Sequence, residues 1–334
     1  MTMFEKEINK PEYDFLTKNE HLGSNIILLG LGGSHAYGTA VETSDIDIRG
    51  VARNTKTEIL LGEDFEQVDS GQTDTVIYSL NKMIKLLVAC NPNVIEILGL
   101  KPEHYLKKTE LGQLLIDNRE MFLSKVAIQS FGGYATSQLR RLDNKAGRIG
   151  DAHNQTQHIV NSMNNAKYAV QQLITPLKDG DAFDLKCIDD QIFTDLTLHD
   201  YPLDDALRMI AEVMAVRNDY KKLGMRNSKA IEHGKIGKHM MHLVRVMYMC
   251  FDILEKKQIK TYRDEEHDLL MYIRNNGMLD AGGQPTDEFW QMMDDLDKRF
   301  EYAKQNTELP DRPDMKKIND FKMEINEKIV KGLV

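Results

Sequence analysis

The pattern of apolar and polar positions predicts short strands in the first part of the chain. Residues 25–31 (NIILLGL) form a continuous apolar run that ends in glycines, which is typical of a buried strand. Residues 45–53 (DIDIRGVAR) alternate polar and apolar side chains, and residues 73–79 (TDTVIYS) are a third strand candidate. A Gly-rich turn that runs into a short helix is predicted over residues 32–41.

Helical periodicity follows these strands and dominates after about residue 125. Ser79 is the expected N-cap of a helix that ends near Cys90, and a second short helix follows at residues 95–100. Residues 54–72 are expected to form a long excursion that contains a hairpin. Further helices are predicted over residues 107–122, 124–142, 155–174, 203–223, 234–257, 264–276, 286–305 and 314–332. We therefore predict an α+β protein with a small mixed sheet and helices in residues 1–124 and a larger all-helical domain in residues 125–334.

Two motifs between the first two strands carry the candidate chemistry. Gly33 allows close approach of the backbone to a ligand, and Ser34 opens a helix whose N–H groups favour a phosphate. Asp45 and Asp47 follow and would project from the same face of the second strand. Two neighbouring carboxylates repel each other unless a cation compensates them, and oxygen ligands suit Mg²⁺ or Mn²⁺. The spacing predicts a nucleoside triphosphate (NTP) bound with metal ions.

A third carboxylate is expected to hold a second metal ion and to help deprotonate the attacking hydroxyl. Asp74, on the third strand candidate, is the preferred residue. Asp64 and Asp69 are alternatives that the pattern places in a loop. The predicted metal centre therefore consists of two ions held by Asp45, Asp47 and Asp74.

These motifs resemble the DNA polymerase β-like nucleotidyltransferase superfamily, in which a Gly-Ser turn precedes an Asp-x-Asp pair and a later acidic residue. More closely, the chain resembles the RNA-repair-associated predicted nucleotidyltransferase family (RlaP-like). The matching blocks are Gly33-Ser-His-Ala-Tyr-Gly38, Ser44-Asp-Ile-Asp-Ile-Arg-Gly50, Tyr78-Ser-Leu, Asn91-Pro-Asn-Val-Ile-Glu96, Phe131-Gly-Gly-Tyr-Ala135, Gln138-Leu-Arg-Arg141 and Lys238-His-Met-Met-His242-Leu-Val-Arg245.

The resemblance implies a polymerase β-like fold and metal-dependent transfer of a nucleoside monophosphate from an NTP, with release of pyrophosphate. The expected acceptor is a hydroxyl or phosphate on RNA or tRNA. Two alternatives stay open. In the first, the acceptor is a protein or a small molecule. In the second, the chain is a non-catalytic nucleotide-binding or toxin–antitoxin component.

Further ligand contacts are expected from residues beyond the glycine turn and the aspartates, and the resemblance supports those of Lys238 and Arg245. Lys238, His242 and Arg245 share one helix face. Lys238 and Arg245 are expected at the triphosphate, with an ordinary solvated face as the alternative. His242 is expected to orient one of them or, alternatively, to be a satisfied, half-buried histidine. His35 and Tyr37 are further candidates for the nucleotide, and Tyr37 is equally suited to core packing. A basic edge formed by Gln138, Arg140 and Arg141 is the candidate acceptor site.

Composition limits these expectations. The 334 residues carry a formal net charge of −9, which argues against binding nucleic acid by bulk positive charge and confines RNA to local basic surfaces. Three widely spaced cysteines indicate neither a disulfide framework nor a zinc ribbon. The polar N-terminal segment lacks an apolar leader, so a cytoplasmic protein without membrane contact is expected.

Overall fold

A mixed sheet forms from the strands β1 (Ile26–Leu31), β2 (Ile48–Ala52), β3 (Gln67–Ser70), β4 (Thr75–Ser79) and β5 (Tyr105–Lys108). The computed structural model describes residues 8–135, 152–171, 173–189, 191–232, 236–281 and 283–334. The sheet order is β3-β4-β2-β1-β5. β2 and β4 run parallel and the other neighbours are antiparallel.

Helices make up most of the remaining structure. The short helices are Phe15–Lys18, Gly33–Tyr37, Lys56–Leu61, Leu80–Val88, Pro92–Ile95, Glu110–Asp117 and His267–Arg274. The longer ones are residues 126–135 as far as described, Ala152–Gln171, Leu203–Glu232, Ile236–Lys256, Asp287–Asn306 and Met315–Val330. The predicted α+β class, with a small mixed sheet near the N-terminus and a helical C-terminal region, is confirmed.

The first strand shows why a continuous apolar run was needed. Every residue of β1 is buried. Ile27 and Leu28 belong to one apolar cluster, and Ile26 and Leu29 belong to a second. Both faces of the strand are therefore covered, which removes the usual alternation of polar and apolar residues.

Two elements were not expected from the sequence. An antiparallel hairpin, β6 (Ala182–Ile188) and β7 (Gln191–Thr197), interrupts the helical C-terminal region. β5 occupies the start of the helix predicted over residues 107–122, because the main-chain groups of β1 need a partner on that side. The helix begins only at Glu110, where the Thr109 side chain accepts the Gly112 N–H.

The excursion between β2 and β4 contains a helix as well as a strand. The helix Lys56–Leu61 starts at a capping box formed by Thr55 and Glu58. β3 follows and pairs with β4, so the hairpin of this region consists of β3 and β4. Ser79 caps the next helix as predicted, since its hydroxyl accepts the Lys82 N–H at 3.1 Å.

Contacts between residues divide the chain into two compact units. One comprises residues 1–136, 242–271 and 292–334, and the other comprises residues 137–241 and 272–291. The first unit contains the five-stranded sheet, and the second contains the β6–β7 hairpin. The predicted domains 1–124 and 125–334 stay a prediction. No helix in the described ranges is both long and apolar enough to cross a membrane.

Candidate functional site

The glycine turn after β1 lies directly against the second motif. Gly32 is the N-cap of the helix Gly33–Tyr37 and donates its N–H to the Asp47 carbonyl oxygen at 2.8 Å. Gly33 has φ +53°, and a Cβ atom there would collide with the Asp47 carboxylate. Glycine is needed at this position both for its backbone conformation and for its missing side chain. The structure thus brings together the two motifs that the sequence separates.

The aspartate pair lies before β2 rather than within it. β2 begins at Ile48, so the predicted strand over residues 45–53 starts three residues too early. The reason is the turn at Gly32: Leu31 pairs with Ile48, and the neighbouring strand then ends. Asp45 is exposed and Asp47 is half-buried.

Asp74 lies beside Asp47 because β2 and β4 run parallel. Ile48 pairs with Thr75, so each aspartate occupies the position just before its strand. Asp74 is exposed in the turn before β4, with φ +45°. Its carbonyl oxygen accepts hydrogen bonds from the Ile48 N–H at 3.3 Å and from Arg49 Nη1 at 2.6 Å.

Arg49 connects the two aspartates and was not among the predicted site residues. Its Nη2 atom lies 3.5 Å from Asp47 Oδ1, and its Nη1 atom donates to the Asp74 carbonyl oxygen. The residue stands inside the Asp-x-Asp-x-Arg motif, where its position after two carboxylates was the available signal. A cation is therefore already present between the two strand starts.

The donor set fits a metal ion only with help from a ligand. In the part of the chain that the structure describes, no group of three or more His, Cys, Asp or Glu side chains is arranged to hold a metal. Mg²⁺ commonly takes one or two protein carboxylates and completes its shell with water and substrate phosphates. Asp47, which lies against the Gly33 backbone, suits that shared coordination. The metal roles of Asp45, Asp47 and Asp74 stay predictions.

The predicted nucleotide residues of the short helix differ in exposure. Ser34 is buried and His35 is half-buried. Tyr37 is 1% exposed and belongs to the main apolar cluster of its unit. Its location is the one that the core-packing alternative expects, since no face of the ring is open for a base.

Arg245 lies on the ring of Tyr37. The guanidinium carbon is 3.7 Å from the ring centroid, and the residue is only 7% exposed. His242 is half-buried, and its Nε2 atom lies 2.6 Å from the Tyr134 hydroxyl oxygen. Both residues belong to the unit that contains the sheet, whereas Lys238 is exposed and belongs to the other unit. Their roles at the triphosphate stay predictions.

Glu96 is a buried acidic residue near the glycine turn and was not among the predicted site residues. It is 6% exposed, and its Oε1 atom would be 3.6 Å from a Cβ atom at Gly32. Burial raises the pKa of the Glu96 carboxyl, while Arg245, a hydrogen bond from Tyr37 and Arg49 act to lower it. The available signal was a lone carboxylate within the apolar run Val94-Ile-Glu-Ile-Leu98.

The predicted acceptor residues Gln138, Arg140 and Arg141 lie outside the described residues. The acceptor site therefore stays a prediction from the sequence.

A known protein family matches the part of the chain that contains the candidate site. Residues 9–170 match the profile of the family described as "RlaP: RNA repair pathway DNA polymerase beta family". The resemblance to this family is confirmed. The RlaP match covers slightly less than half of the chain and includes the glycine turn, all three aspartates and Glu96. The match to a family of the polymerase β type supports a nucleotidyltransferase.

A phage protein is similar over part of the same chain. The "Uncharacterized 38.9 kDa protein in nrdC-mobD intergenic region" of Enterobacteria phage T4 is 26% identical over 130 residues. The alignment covers 35% of this chain and 38% of the phage protein. No solved structure matches the chain.

Proposed function

We propose that this protein is a metal-dependent nucleotidyltransferase that transfers a nucleoside monophosphate from an NTP to RNA or tRNA. The carrying observation is the contact between the Gly33 backbone and the Asp47 carboxylate. This contact supports the proposal because a phosphate at the glycine turn would lie beside the carboxylates that share its counter-ion. The RlaP match over the same residues supports the reaction class, and the printed family description favours RNA as the acceptor.

The proposed reaction is a displacement at the α-phosphorus of the NTP. An oxygen of the acceptor hydroxyl or phosphate forms a bond to this phosphorus. The bond from the α-phosphorus to the oxygen that bridges to the β-phosphate breaks, and pyrophosphate leaves with that electron pair. Asp74 is the proposed base when a hydroxyl proton must be removed.

The residues around the glycine turn would bind and orient the triphosphate. The Gly33 and Ser34 N–H groups are proposed to bind phosphate oxygens, and Asp45 and Asp47 to hold Mg²⁺ or Mn²⁺. The ion would supply positive charge for the triphosphate when bound. Arg49 is placed to compensate Asp47 before the nucleotide enters. A cytoplasmic location remains part of this proposal. It is consistent with the three cysteines of the chain, which form no disulfide bond.

Pyrophosphate release tests the reaction. The double variant Asp45→Ala/Asp47→Ala is compared with the parent and with Asp117→Asn, which changes an exposed carboxylate at the end of the helix Glu110–Asp117. With each NTP, Mg²⁺ or Mn²⁺ and total RNA, we expect release from the parent and from Asp117→Asn and at least a 100-fold lower rate from the double variant. Equal rates in all three proteins would contradict the assignment.

Labelled NTPs test the acceptor. Incubation with RNA and, separately, with total protein should place the label on RNA. Label that arrives only on protein would contradict the RNA acceptor and retain the nucleotidyltransferase. Tight NTP binding without transfer to RNA, protein or any small-molecule acceptor would contradict enzymatic function.

A further inference from the structure

The short helix Gly33–Tyr37 has one buried side chain, Glu96, beside both of its ends. Tyr37, the last residue of this helix, acts by hydrogen bonding to lower the pKa of the Glu96 carboxyl, and the Tyr37 hydroxyl also donates to Met249 Sδ at 3.8 Å. The Glu96 Oε1 atom also lies near Gly32, the N-cap of the same helix. A side chain that lies beside both ends of a five-residue helix limits where its N-terminal turn can lie.

Arg245 partly offsets the effect of burial on Glu96. Its guanidinium stacks on the Tyr37 ring, and its charge acts to lower the pKa of the Glu96 carboxyl, although burial keeps that pKa above its ordinary value. The Arg245 Nε atom is buried and has no hydrogen-bond partner among the described residues. Its position therefore depends on the ring of Tyr37, because stacking on an aromatic face stabilises a buried guanidinium.

A third segment supports the pair from behind. The Thr261 hydroxyl donates to the Glu96 carbonyl oxygen at 2.6 Å, and the Arg263 N–H donates to the Tyr37 carbonyl oxygen at 3.2 Å. Thr261 and Arg263 are themselves buried. Backbone and side chain of both Glu96 and Tyr37 are thus fixed within one unit of the protein.

The consequence reaches the carboxylate of the proposed active site. Gly32 donates to the Asp47 carbonyl oxygen, and Gly33 leaves space for the Asp47 side chain. Any shift of the short helix would therefore move the turn away from Asp47. Reactive groups that are displaced by about 1 Å lose about 100-fold in rate.

We infer that Glu96, Tyr37 and Arg245 are positioning residues that fix the Gly32–Gly33 turn against Asp47. This inference rests on the proposed function, and it gives Arg245 a role different from direct contact with the triphosphate. Glu96 acts through Tyr37 and the turn. Tyr37 is part of the support and does not stack the base.

Steady-state kinetics of pyrophosphate release test the inference with Glu96→Gln, Tyr37→Phe and Arg245→Lys. Each variant should lower kcat about tenfold or more and change KM for the NTP by less than about threefold, because ground-state binding is retained. The double variant Glu96→Gln/Arg245→Lys should be no slower than the slower single variant, since both changes release the same helix.

Matched controls exist in the same unit. Arg299 stacks on Phe251 at 4.2 Å and pairs with Glu255 through two hydrogen bonds of 2.9 and 2.6 Å. Arg299→Lys and Glu255→Gln should keep kcat near the parent value. Tyr37→Phe is the mildest of the test variants, and a thermal melt identifies any variant that fails to fold.

Two kinetic outcomes would overturn the inference. Parental kcat in Tyr37→Phe and Glu96→Gln would remove the positioning role. An increased KM with unchanged kcat in Arg245→Lys would instead indicate direct contact with the triphosphate.

If the parent protein releases no pyrophosphate, the proposed function is wrong. The positioning inference is then tested by hydrogen exchange. Tyr37→Phe and Glu96→Gln should then accelerate amide exchange in peptides that cover residues 29–40, and Arg299→Lys should not. Unchanged exchange in the test variants would overturn the positioning role.

Discussion

An aspartate lies among polar groups at each end of the parallel strand pair β2 and β4. The two aspartates differ in the groups that surround their carboxylates. At the C-terminal ends, Asp64 accepts hydrogen bonds from the side-chain amides of Asn54 at 2.8 Å and Asn81 at 2.9 Å. At the N-terminal ends, Asp47 lies against a glycine backbone and a half-buried arginine. Asp64 is hydrogen-bonded by the neutral amides of two asparagines. Asp47 instead faces the backbone of Gly33, where there is no side chain.

The contrast shows how a structural polar cluster differs from a candidate binding site. Neutral amide donors stabilise a carboxylate by occupying its oxygens with hydrogen bonds within the protein. A carboxylate beside backbone N–H groups and without a Cβ atom in the way can share its surroundings with a phosphate and a cation. Variants at the two ends should therefore separate activity from stability.

The largest effect is expected from Gly33→Ala compared with Gly62→Ala. Both glycines have positive φ, of +53° and +70°, so each alanine should cost about 1–2 kcal/mol of unfolding free energy. A Cβ atom at Gly62 meets nothing within 4 Å, whereas one at Gly33 collides with Asp47. We expect Gly33→Ala alone to abolish pyrophosphate release and to show the larger loss in chemical denaturation. Full activity in Gly33→Ala would break the contrast between the two ends.

The second comparison uses Asp47→Asn and Asp64→Asn, which change one atom each. Asp47→Asn should reduce pyrophosphate release by at least about 100-fold, because the charge for the proposed cation is lost. Asp64→Asn should keep activity and lower the unfolding free energy by about 1 kcal/mol, since an ionised acceptor of two hydrogen bonds is weakened. Rates and denaturation curves measure both. Loss of activity in Asp64→Asn would instead restore Asp64 as the third carboxylate.

The smallest effect concerns the pH dependence of stability near the C-terminal end of β2. Burial acts to raise the pKa of Glu58, but hydrogen bonds from Thr55 and His21 outweigh it and leave the pKa below its ordinary value of 4.5. A lowered folded-state pKa contributes stability above pH 4.5 that is lost as the pH falls towards the folded value. Glu58→Gln should therefore flatten the decline of the melting temperature in this acidic range. If the melting temperature of Glu58→Gln declines as steeply as that of the parent, Glu58 is not the source of this pH dependence. Activity at neutral pH should be unchanged in the variant.

Local patterns predicted much of the sheet and its capping. The apolar run of β1 and the Ser79 cap of the helix Leu80–Val88 depend on neighbouring residues, and both were predicted from them. β5 could not be predicted in this way, because Tyr105–Lys108 becomes a strand by pairing with β1. The β6–β7 hairpin was missed because β7 is exposed along its whole length and lacks a strong apolar pattern.

For the candidate site, the sequence predicted the motifs and their chemistry but not their arrangement. Spacing alone indicated that Gly33, Asp45 and Asp47 belong together, and the fold places Gly33 against Asp47. The same spacing gave Asp45 and Asp47 a shared strand, although the strand begins at Ile48. Arg49 and Glu96 were missed because their partners come from distant segments of the chain.

The sequence by itself determined the α+β class, the glycine turn, the acidic motif and the resemblance to the RlaP family. These features rest on periodicity, on backbone preferences and on short motifs, all of which act over a few residues. Only the tertiary structure decided that Glu96, Tyr37 and Arg245 lie together and that Asp74 stands beside Asp47. Such contacts depend on strand register and burial, which local patterns do not specify.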